Sequence, residues 1–284
     1  MGKVVSFFQN TISSEYIKED EALEARVRST LSFDVVIPTK NSSRTIENCI
    51  NALFNSDVPI KNIFLIDNSQ DATPEIAEKM GCVVIKSDYN YSQALRIGAN
   101  LCSTNYFLIL DSDIIINPKF FLRLKTHITD NFITKGTFYD QIQWKSLAKR
   151  MLSQRRKGIH GLEVAFVHRE TFLKLTQDWE TGYIDAGGDT QLYRRCKQYK
   201  LSTYQDPELV NLHLVGHHKR FLKHSYWYGK SGRTNRLHLW THFPKRFLRG
   251  VIKSLFYALK YKDVRYIPFN IYKEWNYFWG WLNG

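Results

Sequence analysis

No stretch of this 284-residue chain reaches the roughly 18 consecutive apolar residues that a membrane-spanning helix requires. No signal-peptide pattern opens it either, so a cytoplasmic protein, soluble or peripheral to a membrane, is the expectation. Cysteine is sparse: Cys49, Cys82, Cys102 and Cys196 include no C-x-x-C pair, which reads as four free thiols. Internal repeats and low-complexity linkers are lacking, and one catalytic domain with an extension suffices for the length. Acidic residues almost vanish from the C-terminal tail. Residues 216–284 hold 14 Lys+Arg against 2 Asp+Glu, whereas residues 1–215 hold 26 against 25, so the tail carries nearly all of the formal charge of +13. Glycine is missing after the first apolar run, where Lys40-Asn41-Ser42-Ser43 stands. That argues against a nucleotidyltransferase, which normally opens with a glycine-rich loop there.

What is present centres on residues 105–113 (NYFLILDSD), an apolar run that ends in two carboxylates one residue apart. In an extended backbone, positions i and i+2 share a face, so Asp111 and Asp113 can converge on one hard cation. Mg²⁺ or Mn²⁺ suits such a pair. Both take oxygen ligands and keep positions open for water and phosphate oxygens, which suggests diphosphate chemistry. A solvated Asp-Ser-Asp turn is the alternative for an isolated D-x-D. Upstream, apolar runs at 33–38 (FDVVIP), 62–67 (NIFLID), 82–86 (CVVIK) and 106–110 alternate with helical patterns at 44–55, 74–80 and 92–102. This β-α-β-α-β-α-β order predicts a mainly parallel sheet flanked by helices, with ligands beyond the carboxyl ends of its strands. Three of those ends are polar: Pro38-Thr39, Asp67-Asn68-Ser69 and Asp111-Ser112-Asp113.

The segments VVIPTKN (35–41), LIDNSQDAT (65–73) and LILDSDIIINP (108–118) resemble, in order and spacing, the family 2 glycosyltransferases of GT-A fold. The resemblance implies a Rossmann-like α/β catalytic domain over 33–215 that binds a nucleotide sugar, with a UDP-sugar preferred over a GDP-sugar. It places Pro38 and Asp67 in the base and ribose pocket, Thr39, Asn41, Ser69 and Ser112 among the donor contacts, and Asp111 and Asp113 on Mn²⁺ or Mg²⁺. Arg96 matches a position near the phosphates, or is an ordinary exposed helical arginine. The chain departs from the family at Asn68-Ser69-Gln70 and at Ala72, where Asp-Gly-Ser and Gly are usual. Residues 182–201 (GYIDAGGDTQLYRRCKQYKL) resemble the family's G-E-D segment, with Gly188 in place of Glu. Asp189 is then the catalytic base, Asp185 a substitute, and an N-cap for the following helix the structural alternative. A histidine that approaches the metal is expected at His213 or His217.

In the tail, Leu248, Val251, Ile252, Leu255, Phe256 and Leu259 recur on one helical face, with Arg249, Lys253 and Lys260 elsewhere. EWNYFWGWL (274–282) adds aromatic residues suited to lipid headgroups. The pattern predicts a C-terminal amphipathic helical extension over 216–284 lying on an anionic membrane surface, preceded by a lead-in helix at 1–32. Packing of the apolar face on the catalytic core is the alternative. The combined expectation is a metal-dependent inverting transferase acting on a lipid-linked or glycolipid acceptor at the cytoplasmic face, with no nucleic acid involved. A polyprenyl- or dolichyl-phosphate sugar synthase is the rival within the class, and a noncatalytic lipid- or polyanion-binding module the rival outside it.

Overall fold

In the computed structural model of the chain, residues 32–142, 161–180, 187–215, 225–230 and 239–283 are described. The expected lead-in helix at 1–32 therefore lies outside the described residues, but for Ser32. Strands form where β-branched and aromatic residues cluster. β1 (Phe33–Thr39), β4 (Tyr106–Leu110) and β7 (Val164–His168) bury nearly every side chain, as strands covered on both faces must. β2 (Ile60–Asp67) and β3 (Val83–Lys86) extend the sheet on one side. β6 (Ile133–Ile142), β8 (Thr203–Val215) and the two-residue β5 (Ile114–Ile115) extend it on the other, in the order β3-β2-β1-β4-β7-β6-β8-β5.

The first four strands pair in parallel, as the alternation predicts. Beyond β4 the sheet is mixed. β7 runs antiparallel to both β4 and β6, and β5 runs antiparallel to β8. Helices α1 (Ile46–Phe54), α2 (Thr73–Lys79) and α3 (Tyr91–Leu101) follow the first three strands. After them come α4 (Phe120–Ile128), α5 (Arg169–Leu175) and α6 (Gly188–Gln198). The alternation of side chains along a strand divides the core in two. Val35 and Ile37 of β1 pack with Ile50 of α1 and Phe120 of α4, while Val36 packs with Leu95 of α3, Phe172 of α5 and Leu192 of α6.

The two ends of the sheet differ in polarity. At the amino end of β1, buried Asp34 accepts hydrogen bonds from the Ser103 amide (2.6 Å), the Thr104 amide (3.1 Å) and Asn62 Nδ2 (2.8 Å). These amides and the Asn62 side chain consume its lone pairs, so that end is closed. The carboxyl ends of β1, β2 and β4 hold the residues singled out by sequence.

In the tail, α7 (Leu239–Tyr261) and α8 (Tyr266–Leu282) form an antiparallel hairpin. Its seam mixes polar and aromatic contacts: Arg246 Nε donates to Glu274 Oε2 (2.6 Å) and its guanidinium lies 3.8 Å from the centre of the Tyr277 ring, beside buried Ser254 and Asn270, while Phe243 meets Phe278 and Tyr257 meets buried Tyr266. The outside carries an apolar stripe beside exposed Arg249, Lys253 and Lys260. Leu248 is 61% exposed, Phe256 58% and Leu259 80%, with Ile252 and Leu255 between them. At about 100° per residue these five residues occupy one stripe. The face predicted by periodicity therefore points away from protein, with half-buried Val251 at its edge. The alternative of packing on the core does not describe it. Residues 225–230 are helical and meet α8 where Gly229 lies against the Tyr277 carbonyl and Gly280 against that of Tyr226. A side chain at either glycine would displace that backbone. Among the described residues, no helix is long and apolar enough to cross a membrane.

Candidate active site

The loop after β1 is tied to the turn after β2 by reciprocal hydrogen bonds. Thr39 Oγ1 donates to Asp67 Oδ1 (2.6 Å), the Asn41 amide donates to Ser69 Oγ (2.7 Å), and the Gln70 amide donates to Asn41 Oδ1 (2.9 Å). Asn41 adopts φ +53°, a left-handed conformation that asparagine tolerates better than most residues. Pro38 is buried at the same strand end. Asp71 completes the turn by accepting from the Thr73 hydroxyl and, at 3.2 Å, from the Ser43 amide. Partial burial raises its pKa, but these hydrogen bonds outweigh that and hold the carboxyl below its ordinary value. A glycine at position 72 is not needed for this closure, which is how the chain accommodates Ala72.

The same loop reaches the acidic strand end, since Ser42 Oγ and Ser112 Oγ share a hydrogen bond of 2.7 Å. From β4 the chain passes through Asp111-Ser112-Asp113 directly into β5, which pairs Ile114 with His213 of β8. That register brings His213 Nε2 to 3.5 Å from Asp113 Oδ2. His217, the other histidine proposed from sequence, lies outside the described residues. Asp113 is buried and Asp111 half-buried. Asp111 accepts from Tyr91 Oη at 2.8 Å, and burial, reinforced by the charges of Asp113 and Glu163, pushes its pKa up to about 8. Cys49, against the Asp111 carbonyl, is likewise held as a neutral thiol by burial and by Asp113 and Asp111.

Asp111, Asp113 and His213 bring two carboxylates and an imidazole to one strand end, the kinds of donor that suit Mn²⁺ or Mg²⁺. The charges of Asp113 and Glu163 both raise the Asp111 pKa, a repulsion that a cation would relieve. Among the described residues, no three or more His, Cys, Asp and Glu side chains are grouped closely enough to hold a metal ion by themselves.

Asp189 stands in the first turn of α6, one residue beyond Gly188, and is near enough for its charge to act on Tyr91 and Lys135. The N-cap alternative is corrected: the cap is Gly187, at φ +83°, and Asp189 Oδ1 instead accepts from the Thr190 amide at 2.7 Å. A carboxylate in the first helical turn faces the positive end of the helix dipole. Gly188 occupies the place of the expected Glu because it is buried against Ser92 and Trp179, where a Cβ would collide with the Ser92 hydroxyl. The substitute Asp185 lies outside the described residues.

Arg96 departs from its sequence reading. It is buried, not exposed, and its guanidinium donates to Glu180 Oε1 (2.7 Å), the Leu173 carbonyl (2.6 Å) and Thr176 Oγ1 (3.1 Å). It braces α3 against the segment after α5, and it is left out of the donor contacts below.

Three participants were not singled out from sequence: Tyr91, Glu163 and Lys135. Lys135 carried a signal, being the lone charge in the apolar run FITKGTF of β6. Its ammonium is 1% exposed, donates to the Gly161 carbonyl at 2.6 Å and sits 3.6 Å from Glu163 Oε2. Burial pulls its pKa below the usual lysine value against the opposing pull of Glu163, Asp189 and Asp111.

Comparison with known proteins adds a family. Residues 34–196 match the description Glycosyl transferase family 2. A 4,4'-diaponeurosporenoate glycosyltransferase of Staphylococcus haemolyticus is 27% identical over 97 residues, 31% of this chain and 26% of that protein. The match thus spans about a quarter of that relative's length. Among solved structures, glucosyl-3-phosphoglycerate synthase of Mycobacterium tuberculosis with Mn²⁺, UDP-glucose and phosphoglyceric acid has a TM-score of 0.53 at 16% identity, covering 74% of this chain and 80% of its own. The same enzyme with Mn²⁺ and UDP also scores 0.53, at 17% identity over 75% and 79%. Identity this low speaks for a shared fold alone.

Proposed function

The chain belongs to glycosyl transferase family 2, and from that premise we propose that it transfers a sugar, with inversion and in the presence of a divalent metal, from a nucleotide sugar to a lipid-linked acceptor at the cytoplasmic face of a membrane. The observation that carries the reading is the meeting, at one end of the sheet, of a closed Thr39–Asp67 pocket, the Asp111/Asp113/His213 group and Asp189. Pro38, Thr39, Asn41, Asp67 and Ser69 hold base and ribose, with Ser112 beside the phosphates. Asp111 and Asp113, aided by His213, hold Mn²⁺ or Mg²⁺, which when bound offsets the charge of the leaving diphosphate. Tyr91 orients the Asp111 carboxyl through its hydroxyl. Asp189 accepts the proton of the acceptor hydroxyl as that oxygen attacks the anomeric carbon from the face opposite the diphosphate. The outward apolar stripe of α7 and the basic tail hold the protein at the anionic surface where a lipid-linked acceptor resides.

Thermal-shift titration with UDP-, UDP-sugar and GDP-sugar panels, with and without Mn²⁺, tests the core of this reading. Wild-type protein should gain stability from a uridine nucleotide only when Mn²⁺ is present. Asp113→Ala should lose at least about tenfold in nucleotide affinity, the scale of one lost ligand contact. Equal nucleotide binding by Asp113→Ala, or binding indifferent to metal, overturns the assignment.

A further inference from the structure

An ion pair beside the site, between buried Lys135 and half-buried Glu163, has no role in the reaction proposed. Glu163 precedes β7, and its backbone carbonyl accepts the Asp111 amide at 2.8 Å, so it is fastened directly to the metal-binding strand end. Its carboxylate folds back over Gly161, whose φ of +93° and lack of a side chain make room for both oxygens. Beneath it, Lys135 Nζ is anchored on the Gly161 carbonyl (2.6 Å) and lies 3.6 Å from Glu163 Oε2, just beyond hydrogen-bond length. That Oε2 is buried and receives no hydrogen bond among the described residues.

Such a pair is an unusual thing to place in a core. Taking an ammonium and a carboxylate out of water costs several kcal/mol per ion, and a loose pair recovers little of it. An apolar pair at these positions would stabilise the fold better. The carboxylate also faces its own kind, because its charge acts on Asp111, on Tyr91 and on Tyr193, and Asp189 acts on the last two and on Lys135. A carboxylate with a spare buried oxygen, close to Asp111 and to the candidate base, suits one contact in a nucleotide-sugar site: acceptance of a hydrogen bond from a hydroxyl group of the sugar ring.

We infer that Glu163 binds a hydroxyl group of the donor sugar, and that Lys135 is a positioning residue which holds the Glu163 carboxylate in place for that contact. The inference rests on the transferase reading given above and extends it from the nucleotide to the sugar. No bond forms or breaks at Glu163. Its contribution is one charge-assisted hydrogen bond that exists for a nucleotide sugar and not for the free nucleotide.

This difference supplies the test. Affinities for UDP and for UDP-glucose, UDP-galactose and UDP-N-acetylglucosamine are measured calorimetrically with Mn²⁺ on wild type, Glu163→Gln and Lys135→Met. Glu163→Gln should bind UDP within about twofold of wild type and lose about 10- to 100-fold in affinity for the UDP-sugar that wild type prefers, the range expected of a hydrogen bond to a charged group. Lys135→Met should show the same sugar-specific loss, with UDP again retained. If Glu163→Gln binds UDP and UDP-sugar as wild type does, the inference fails while the transferase reading stands. A Glu163→Gln loss equal for UDP and UDP-sugar also overturns it, since a general disturbance of the site would act on both. Should Lys135→Met fail to fold, Glu163→Gln alone decides the sugar contact. Failure of wild type to bind any of the four overturns the uridine-nucleotide reading of the donor, and the sugar contact at Glu163 with it.

Discussion

At the scale of single residues, roles follow from what each side chain has left to give. Asp67 and Asp71 spend their oxygens on Thr39, Ser69, Thr73 and Ser43, so they shape a pocket. Asp189 uses one oxygen, Oδ1, on Thr190, and the proposed base role falls to the other. Asp189→Asn should therefore leave UDP-sugar affinity within about threefold while cutting transfer at least about 100-fold, because an amide keeps the shape but cannot take the acceptor proton. Single-turnover transfer alongside calorimetry separates the two, and a parallel loss of donor binding would return Asp189 to a structural role. The acidic pair Asp111 and Asp113 could be placed at a strand end from sequence because its relation is local: an apolar run that stops at two carboxylates marks the end of a buried strand, whatever the fold. Glu163 and Lys135 were not, since each acquires meaning only when β6 and β7 pair and bring them beneath Asp111. Arg96 misled for the same reason. Its helix was readable, but Glu180 and Thr176, which claim its guanidinium, arrive from a distant segment.

Elements were more legible than contacts. Four strands and three helices appear within a few residues of their sequence positions, because runs of β-branched residues and i, i+3, i+4 periodicity are both short-range signals. The mixed pairing beyond β4 escaped because nothing local distinguishes an antiparallel β7 from a parallel one. Between elements, small residues set distance. Gly98 lets α3 close on β1 through Val36, and Gly188 lets α6 close on α3 through Ser92. The chain thereby exchanges the family's usual glutamate for proximity of Asp189 to Tyr91. Restoring that residue as Gly188→Glu should destabilise the protein by about 2–4 kcal/mol, from overpacking against Ser92 and Trp179 and from burying an unpaired carboxylate. Urea denaturation measures it, and unchanged stability would mean that α6 does not need the close approach.

Over the whole molecule, charge and hydrophobicity are segregated in a way that packing alone does not explain. The catalytic portion is close to neutral, while the tail holds nearly all of the net positive charge. Its two acids are both consumed internally, Glu274 by Arg246 and Lys273, and Asp263 by Arg265 at 2.8 Å. What the hairpin presents outward is cationic and apolar. Trp275 and Trp279 of α8, each 53% exposed, add the aromatic residues that favour a headgroup interface. Periodicity exposed the stripe in sequence; the seam that turns it outward did not show, because Arg246 and Glu274 meet only across the hairpin. A lipid surface accounts for both halves of the pattern. Each basic residue near an anionic surface contributes about 1 kcal/mol, screened by salt, and the apolar stripe adds a component that salt does not screen. The protein should therefore sediment with anionic vesicles in preference to zwitterionic ones, and binding should weaken with salt without vanishing. Replacing Leu248, Ile252, Phe256 and Leu259 together by Gln should abolish that binding while thermal stability and UDP affinity stay near wild type, because each of these side chains is more than half exposed. Collapse of the fold in that variant would show that the stripe is covered by protein. A wild type that ignored vesicles but bound duplex DNA or RNA would make the tail a nucleic-acid surface, since phosphate backbones satisfy the cationic half of the pattern and leave the apolar stripe without a partner.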